Sequence, residues 1–309
     1  MKKNKSIDNV LPIIVLYNPN KEALGNLIFS LEPQVDIVCI VDNSDSSNEK
    51  IISELFSNID IKVIYIPLYN NVGIAKAQNI GISEAFKRSY EFVLLLDQDS
   101  ELPPKMLENL VTEHFNLKRD GVSVGAIGPV FQDIKTKELC GAVITKWFHI
   151  ERPKVDTSTS RPIKTDYLIA SGSLISLSTL YEVGLMREDL FIDWVDIEWG
   201  ERANSKGYSS YIIPSVVMAH SIGDESVEVL GREINTHSDF RNYFIIRNAI
   251  NLLYSDSFKI KSKVLMMMKS IWYTFLYVKV SDQKLNSFSL YLRAIRDGLF
   301  SNMGKGYYK

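Results

Sequence analysis

Two carboxylates, Asp97 and Asp99, follow directly on the apolar run FVLLL of residues 92–96. A short apolar run predicts a strand buried on both faces, as in a parallel sheet. Residues i and i+2 of an extended segment point to the same side, so both carboxylates lie at the carboxyl edge of the sheet, where open α/β folds bind ligands. A hard divalent cation shared with substrate phosphates relieves the repulsion between them. The spacing therefore indicates a metal site, and a strand ending in a surface Asx turn is the alternative.

A second acidic cluster begins a helix predicted over residues 193–206. Asp196 falls at the helix N-terminus, where the dipole favours the ionised form, and a carboxylate beside a metal site can act as general base for a hydroxyl nucleophile. Simple helix caps at Asp193 and Asp196 are the alternative interpretation. His220 ends a later predicted strand, where it is either structural or completes the coordination of an ion held by carboxylates.

Other residues suggest contacts with a nucleotide. Asp42 ends the second predicted strand and can accept a hydrogen bond from the ring N–H of a nucleobase. Asn71, Gly73 and Ala75 begin a helix of small residues, which allows either a close approach of backbone to ligand or plain helix–sheet packing. Arg247, on a later helix, can face a diphosphate bidentately or form a surface ion pair.

The elements that must position these residues alternate between strand and helix. The predicted strands cover residues 13–17, 35–41, 62–67, 92–96, 124–130 and 167–175, the last broken by the SGS segment at 171–173, with short strands at 208–214 and 216–220. The predicted helices cover residues 21–31, 48–56, 105–115, 179–183 and 193–206, and one more follows the turn at 70–73. This order predicts an α/β fold with a doubly wound, mostly parallel twisted sheet flanked by helices. Residues 133–161 are expected to form an excursion over the sheet that includes a hairpin.

Composition limits the class of protein. With 309 residues, of which 46% are hydrophobic and 23% charged, the chain is globular and can bury a sizeable core. A net charge of −2 gives no case for bulk binding of nucleic acid. The two cysteines, Cys39 and Cys140, lie in apolar surroundings and favour a reducing compartment. The basic N-terminus does not resemble a signal peptide, and no uncharged apolar run reaches the roughly 18 residues of a membrane span.

The pattern changes after about residue 238, where three helices are predicted over 239–254, 261–280 and 285–299. We therefore expect a catalytic domain over residues 1–230 and a helical subdomain over 231–309. From residue 256 onward the chain carries seven more basic than acidic side chains, with aromatic residues such as Trp272 and Phe275 among the lysines. This mixture suits an interfacial helix on anionic lipid. A core-forming helical subdomain or a dimer face is the alternative.

Taken together, the motifs resemble those of the inverting family 2 glycosyltransferases with a GT-A fold. The resemblance spans about residues 10–225 and is carried by the following segments: YNP at 17–19, VDNS at 41–44, NVGIA at 71–75, LDQD at 96–99, SGS at 171–173, the acidic segment 193–202 with Gly207 and Tyr208, and His220. More narrowly, FIDWVDIEW at 191–199 and RNYFIIRN at 241–248 resemble bacterial rhamnosyltransferases that build O-antigen or other surface polysaccharide.

The resemblance implies a role for each matching residue. Asp196 aligns with the catalytic base, but Val195 stands where many relatives have Glu, so Asp193 remains an alternative base. The metal, Mg²⁺ or Mn²⁺, would be held by Asp97, Asp99 and His220. The residues implied in binding the nucleotide sugar are Tyr17, Asn18, Asp42, Asn71, Gly73, Ala75, Asp97, Gln98 and Arg247. Those implied in binding the acceptor are Gly172, Trp194, Glu198 and Trp199.

The activity so implied is transfer of a sugar with inversion, most simply L-rhamnose from dTDP-L-rhamnose, onto a saccharide linked to polyprenyl diphosphate. Another donor, such as UDP-galactofuranose or a UDP-hexose, is the alternative within the family. We expect the enzyme to be cytoplasmic, with peripheral membrane contact, and not to bind nucleic acid. A homo-oligomer is a further expectation. A phosphotransferase of the haloacid dehalogenase type also uses an Asp-x-Asp pair, but usually near its N-terminus. A non-catalytic binding subunit is a further alternative, against which the retained carboxylates argue.

Overall fold

A nine-stranded sheet forms the centre of the part of the chain that the structure describes. The computed structural model describes residues 9–133, 136–220, 225–229, 232–236, 238–281 and 283–308. The strands that follow one another from the N-terminus are β1 (Val10–Leu16), β2 (Ile37–Asp42), β3 (Lys62–Pro67), β4 (Phe92–Asp97) and β5 (Val124–Asp133). The later strands are β6 (Leu139–Cys140), β7 (Ile144–Thr145), β8 (Ile150–Glu151), β9 (Ile163–Thr165), β10 (Ser173–Ser176), β11 (Ser209–His220), β12 (Glu225–Val229) and β13 (Arg232–Thr236).

The strand order across the sheet is β3-β2-β1-β4-β10-β5-β11-β9, with β6 paired to β5. Strands β1 to β4 run parallel to one another, and β11 is parallel to β5. The short strand β10 enters antiparallel between β4 and β5. The predicted α/β fold with a mostly parallel sheet is therefore confirmed, and β7 and β8 form the hairpin expected in the excursion after β5.

Helices cover both faces of the sheet, which explains why its central strands are continuous apolar runs. Their bounds are α1 (Lys21–Leu31), α2 (Glu49–Phe56), α3 (Ile74–Lys87), α4 (Met106–Arg119), α5 (Leu177–Val183), α6 (Val195–Ser205), α7 (Asp239–Leu252), α8 (Ile260–Val280) and α9 (Lys284–Leu299). Buried residues of α1, α2 and α4 form a core with one face of the strands. Those of α3, α5 and α6 pack on the other face. Alternate residues of β4 belong to the two cores, so its carboxyl end is held rigidly from both sides.

Two strand predictions differ from the structure. Of the strand expected over residues 167–175, with a break at 171–173, only the part after the break forms, as β10 (Ser173–Ser176), and residues 167–170 are not in a strand. The predicted break is present, because Gly172 adopts a φ of +77° and turns the chain just before β10. The two short strands expected at 208–214 and 216–220 are one strand, β11, with an irregularity between Ile213 and Val217. The hairpin β12–β13 was not predicted.

The last three helices form a packed unit that also reaches the sheet. Helix α7 packs against both α8 and α9, and the aromatic side chains of Tyr243, Phe244 and Tyr291 are buried between them. Tyr243 donates a hydrogen bond to Asp297 of α9 at 2.7 Å. None of the described helices is both long enough and apolar enough to cross a bilayer. The division of the chain at residue 230 stays a prediction.

Candidate active site

A cleft of about 850 Å³ opens at the carboxyl ends of β1, β2 and β4. Its walls come from these strand ends, from the start of α3, from the segment before α6 and from the first turn of α7. Ligand pockets have volumes of about 300–1,000 Å³, so the cleft can hold a nucleotide sugar. It lies where ligand binding is expected in an open α/β sheet.

Asp97 lies on the floor of this cleft, at the last position of β4. Burial raises the pKa of its carboxyl group to about 6, the charge of Asp99 adds to the increase, and the Arg241 guanidinium opposes it. Asp99 is exposed next to the cleft. The two carboxylates repel each other when both are ionised. A divalent cation bound to their oxygen atoms would stabilise both in the ionised form. The structure therefore brings together the two residues of the predicted acidic pair.

Asp196 faces the same cleft from the first turn of α6. Burial raises the pKa of its carboxyl group to about 6, while the backbone N–H of Ile197 favours the ionised form and the charge of Asp97 disfavours it. The Ile197 N–H donates to Asp196 Oδ1 at 2.9 Å. A carboxylate with a pKa near neutrality is well matched to general base catalysis. Because Asp97 and Asp196 influence each other's charge, the two sequence clusters converge on one site.

Asp193 is engaged differently from Asp196. Its Oδ1 accepts a hydrogen bond from Arg241 of α7 at 2.8 Å, and the two side chains form an ion pair at the cleft wall. One oxygen of Asp193 is thus occupied by the Arg241 guanidinium, whereas Asp196 forms no such ion pair with any described residue and faces the cleft. The geometry therefore favours Asp196 over Asp193 as the base.

The segment that carries Asp193 and leads into the first turn of α6 is held in an unusual backbone conformation. Phe191, Asp193 and Trp194 have φ values of +69°, +61° and +65°, which side-chain-bearing residues rarely adopt. Each such residue costs on the order of 1–3 kcal/mol, so the surrounding structure must impose the conformation. We call residues 189–194 the catalytic loop.

Two consecutive residues of α7 hold the catalytic loop by its carbonyl groups. Asn248 Nδ2 donates to the carbonyl oxygens of Leu190 and Ile192 at 2.9 and 2.8 Å. Arg247 Nη2 donates to Leu190 O at 2.9 Å, and its Nη1 donates to Gly304 O at 2.6 Å. Trp194 Nε1 donates to Ile245 O at 3.0 Å. Helix α7 is thus the support on which the loop is fixed.

These contacts contradict the expectation that Arg247 binds a diphosphate. Its side chain is fully buried, and its guanidinium lies over the ring of Phe244 at 4.6 Å. The cation in the cleft is instead Arg241, six residues earlier on α7. A separation of six residues turns about 240° around a helix at about 100° per residue, so the two arginines lie on different faces.

The remainder of the cleft wall is built from backbone and amide groups. Gln98 Oε1 accepts from the backbone N–H of Tyr17 at 2.9 Å, and its Nε2 donates to Tyr17 O at 3.2 Å, which ties β1 to β4. Asn43 Nδ2 donates to Asn71 Oδ1 at 3.0 Å. Gly73, with a φ of +88°, lies so close to Phe191 that an added Cβ would be 2.6 Å from it. The structure therefore places Tyr17, Asn71, Gly73 and Gln98 in the cleft, as expected.

Asp42 has a more indirect position. Its carboxylate is 1% exposed and accepts hydrogen bonds from Tyr65 Oη at 2.6 Å and from the backbone N–H of Asn48 at 2.9 Å. Although burial opposes ionisation, these hydrogen bonds hold its pKa below the usual range. The cleft is lined by the next residue, Asn43. Contact of Asp42 with a nucleobase stays a prediction that requires one of these donors to turn away. Asn18, whose N–H donates to Ser44 at 2.9 Å, stays a prediction as well.

Four expected binding residues are packed away from the cleft. Ala75 is fully buried in the core between α3 and the sheet. Gly172 is enclosed by Pro129 and Met106 behind β4. Glu198 is 1% exposed and forms an ion pair with Arg202. Trp199 is 3% exposed and donates its indole N–H to Gly184 O.

The structure thus contradicts a direct ligand contact for these four residues. Glu198 lies two positions after Asp196, about 200° around α6, and is buried on the side away from it. Trp199 lies closer to the face of Asp196, but its side chain is part of the core between α6 and the sheet. Among the expected acceptor-binding residues, Trp194 does line the cleft.

The predicted metal ligand His220 is the last residue of β11, and its side chain lies outside the part of the chain that the structure describes. Its role stays a prediction. Among the described residues, no group of three or more His, Cys, Asp or Glu is placed to hold a metal ion. The described part of the donor set is therefore the pair Asp97 and Asp99.

Three residues of the cleft were missed by sequence reasoning: Asn43, Gln78 and Arg241. Gln78 of α3 is 3% exposed, and it lines both the cleft and a small cavity of about 20 Å³ next to Asp196. Its Oε1 has no hydrogen-bond partner among the described residues. A polar residue in a helix of small apolar residues was the available signal, and a buried amide without a partner is unusual enough to indicate a ligand.

Comparison with known proteins agrees with this geometry. Residues 13–183 match the family model described as glycosyl transferase family 2. A dTDP-rhamnosyl transferase, RfbF of Shigella flexneri, is 32% identical over 300 residues, covering 97% of this chain and 98% of its own. The low-salt glycan biosynthesis hexosyltransferase Agl10 of Haloferax volcanii is 26% identical over 257 residues, covering 78% of this chain and 76% of its own.

Solved structures show the same fold. GalNAc-T7 with UDP, GalNAc and Mn²⁺ superimposes with a TM-score of 0.57 at 13% identity, and the match covers 93% of this chain and 59% of that one. The mannosyltransferase PcManGT from Pyrobaculum calidifontis, in complex with GDP-Man and Mn²⁺, gives a TM-score of 0.55 at 15% identity, covering 95% of this chain and 75% of that one. The fold and the acidic cleft define a GT-A glycosyltransferase. This chain belongs to glycosyl transferase family 2, so the family expected from the motifs is confirmed.

Proposed function

We propose that the enzyme transfers L-rhamnose from dTDP-L-rhamnose, with inversion, to a hydroxyl group of a saccharide acceptor in surface polysaccharide synthesis. The observation that carries the reaction type is the convergence of Asp97 and Asp196, each with a pKa of about 6, in one cleft. The rhamnosyl donor is supported by the similarity to RfbF over nearly the whole of both chains. The similarity to a hexosyltransferase keeps a UDP-hexose or UDP-galactofuranose as the alternative donor.

In this proposal Asp196 removes the proton of the acceptor hydroxyl as its oxygen attacks the anomeric carbon. The bond from that carbon to the diphosphate oxygen breaks, and the nucleoside diphosphate leaves. Arg241 lies close enough to Asp97 to lower its pKa, which places a guanidinium beside the expected position of the diphosphate. Arg can bind phosphate oxygens bidentately and so stabilise the charge that develops on the leaving group.

We propose that Asp97 and Asp99, with His220, hold Mg²⁺ or Mn²⁺. The oxygen donors suit a hard cation, and the repulsion that raises the pKa of Asp97 is what such an ion would relieve. When bound, the ion supplies charge stabilisation for the departing diphosphate. Two neighbours of the same fold were solved with Mn²⁺, which supports the assignment.

The acceptor we propose is an oligosaccharide linked to polyprenyl diphosphate, which would bring the enzyme to the cytoplasmic surface of a membrane. The basic, aromatic helices α8 and α9 support such peripheral contact. A homo-oligomer formed through these helices is the other use for the same surface.

Donor and metal can be tested together. The melting temperature of the purified enzyme is measured with dTDP, UDP and GDP, each with and without Mn²⁺, because a ligand that binds the native state raises apparent stability. Turnover of dTDP-rhamnose, UDP-hexose and UDP-galactofuranose is then measured with the preferred metal. We expect dTDP to raise the melting temperature only with metal, and dTDP-rhamnose to be consumed. Turnover of another nucleotide sugar in place of dTDP-rhamnose would contradict the donor assignment.

A further inference from the structure

Helix α8 exposes an apolar face where a surface helix normally carries polar residues. Met267, Met268, Ile271, Trp272 and Phe275 are 45%, 46%, 53%, 54% and 68% exposed. Their spacing of three to four residues places them on one side of the helix. Leu265, Met266 and Leu276 on the opposite side are buried against the protein, so the outward face is a second apolar face and not part of the core.

Helix α9 continues this character. Leu285, Phe288 and Leu292 are 86%, 45% and 50% exposed and recur at the spacing of one helix face, and Phe300 just beyond the helix is 79% exposed. We call the exposed apolar residues of α8 and α9 the apolar face. Exposed apolar side chains that recur on one face of a helix indicate an interaction site.

The segment that carries the apolar face is rich in basic residues. Residues 256–309 contain ten Lys and Arg but only three acids, Asp256, Asp282 and Asp297. One of these, Asp297, is 3% exposed and bound to Tyr243. Exposed cations on α9 include Arg293 and Arg296. The remaining 255 residues carry nine more acids than bases, so the positive charge is concentrated at this end of the chain.

We propose that the apolar face is a docking surface for an anionic lipid bilayer. Apolar side chains enter the headgroup region while Lys and Arg bind anionic headgroups, and Trp272 lies at the depth that indole favours. Helix α8 has 21 residues but is not apolar enough to cross a bilayer, so it lies in the plane of the surface. Charge complementarity selects lipid over a second copy, because a two-fold contact would oppose two surfaces of the same positive sign.

The docking surface and the cleft belong to one packed unit. Helix α7 carries Arg241 in the cleft and Arg247 beneath the catalytic loop, and it packs against α8 and α9. Docking through α8 and α9 would therefore fix the position of the cleft relative to the bilayer surface. If the proposed acceptor is correct, docking brings the enzyme to the membrane that holds it; the lipid contact itself is independent of that proposal.

The test uses the full chain and vesicles without donor or acceptor. Co-sedimentation is measured with phosphatidylcholine vesicles and with vesicles of phosphatidylcholine and phosphatidylglycerol in equal parts. The variants are Trp272→Glu with Phe275→Glu, and the matched control Phe29→Glu, which changes a side chain that is 73% exposed on α1. We expect binding to the anionic vesicles only, weakened by salt, reduced at least about tenfold in the double variant and unchanged in the control.

A second readout locates the contact. Brominated lipid should quench part of the tryptophan fluorescence of the wild-type protein, and Trp272→Phe should remove that quenching while preserving vesicle binding. Absence of binding to anionic vesicles, or an equal loss in the Phe29→Glu control, would overturn the proposal. A dimer in solution that the double variant converts to a monomer, without vesicle binding by the wild type, would assign the face to a second copy instead.

Discussion

Substitution of the two arginines of α7 should separate structural support from ligand binding, because Arg247 supports the catalytic loop and Arg241 lines the cleft. Arg247→Met removes a fully buried guanidinium and its hydrogen bonds to the carbonyl oxygens of Leu190 and Gly304, at 2.9 and 2.6 Å. Gly304 O loses this donor, and Leu190 O keeps the one from Asn248. A hydrogen bond from a charged donor contributes about 1.5–3 kcal/mol, so losing these two bonds costs on the order of 3–5 kcal/mol. With an unfolding entropy of about 2.1 cal/mol/K per residue over 309 residues, this lowers the melting temperature by about 5–8 °C.

Arg241→Met gives the opposite pattern. Its ion pair with Asp193 is partly exposed, at 35% and 14% for the two side chains, so its loss costs at most about 1 kcal/mol. The same change removes the cation from the cleft, and loss of one preorganised charge donor lowers kcat by about 10²–10³-fold.

The assay compares melting temperature and kcat/KM for the donor in the wild type and the two variants. A stable Arg247→Met enzyme with weakened donor binding would refute the role of Arg247 as loop support. An Arg241→Met enzyme with wild-type turnover would refute the role of Arg241 in the cleft.

Three further predictions follow from groups in the cleft. Because the pKa of Asp196 is raised to about 6, the base is protonated below that pH, and the rate of transfer should fall about tenfold per pH unit as the pH decreases below 6. Measuring the pH–rate profile of the wild type and of Asp193→Asn checks this. If the acidic fall in rate disappears in Asp193→Asn, the titrating group is Asp193 and the assignment to Asp196 is wrong. Gln78→Leu should leave the melting temperature nearly unchanged, because Gln78 Oε1 has no partner among the described residues, yet lower kcat/KM for the donor about tenfold, the worth of one hydrogen bond; unchanged kinetics would remove Gln78 from donor binding. Gly73→Ala should lower both the melting temperature and the turnover, because the position has a φ of +88° and an added Cβ would be 2.6 Å from Phe191, and a fully active, stable variant would show that this approach is not required.

The fold was largely predictable because the sequence pattern and the packing agree. The apolar run before Asp97 is continuous because both faces of β4 are covered by helices, and that is the condition under which the run was interpreted as a strand. Helix α1 was predicted at the bounds it has, since Asn20 caps it with a side-chain hydrogen bond to Ala23 N. The break expected at residues 171–173 is present at the left-handed Gly172, but residues 167–170, expected to form the first part of that strand, do not form one.

The residues of the candidate site were predictable where they lie at the ends of strands and helices. They were less predictable where tertiary packing decides which of several nearby residues on a helix faces the cleft. Asp97 and Asp196 are placed in the cleft by elements whose ends are visible in the sequence. The choice of Arg241 over Arg247 depends on which side of α7 faces the catalytic loop, and both residues belong to the same motif. Glu198 and Trp199 have side chains typical of binding residues, but both are buried. Glu198 forms an ion pair with Arg202, and Trp199 donates a hydrogen bond to Gly184 O.

The strained catalytic loop explains why these details were hidden. Its positive φ values are imposed by hydrogen bonds from Asn248 and Arg247, which are more than 50 residues away in the chain. No local pattern reports such long-range contacts. The narrow motif RNYFIIRN therefore contains Arg241, which lines the cleft, and also Arg247 and Asn248, which support the catalytic loop.

The account depends most on Asp196 as the group that removes the acceptor proton, and one measurement addresses this directly. Single-turnover transfer from dTDP-rhamnose is measured for the wild type and Asp196→Asn, together with the Kd of each for dTDP. We predict a rate decrease of about 10²–10⁴-fold with dTDP binding unchanged, because general base catalysis is lost while the nucleotide site remains. If Asp196→Asn transfers at a rate within about twofold of the wild type, Asp196 does not supply general base catalysis of this size, and the account is contradicted.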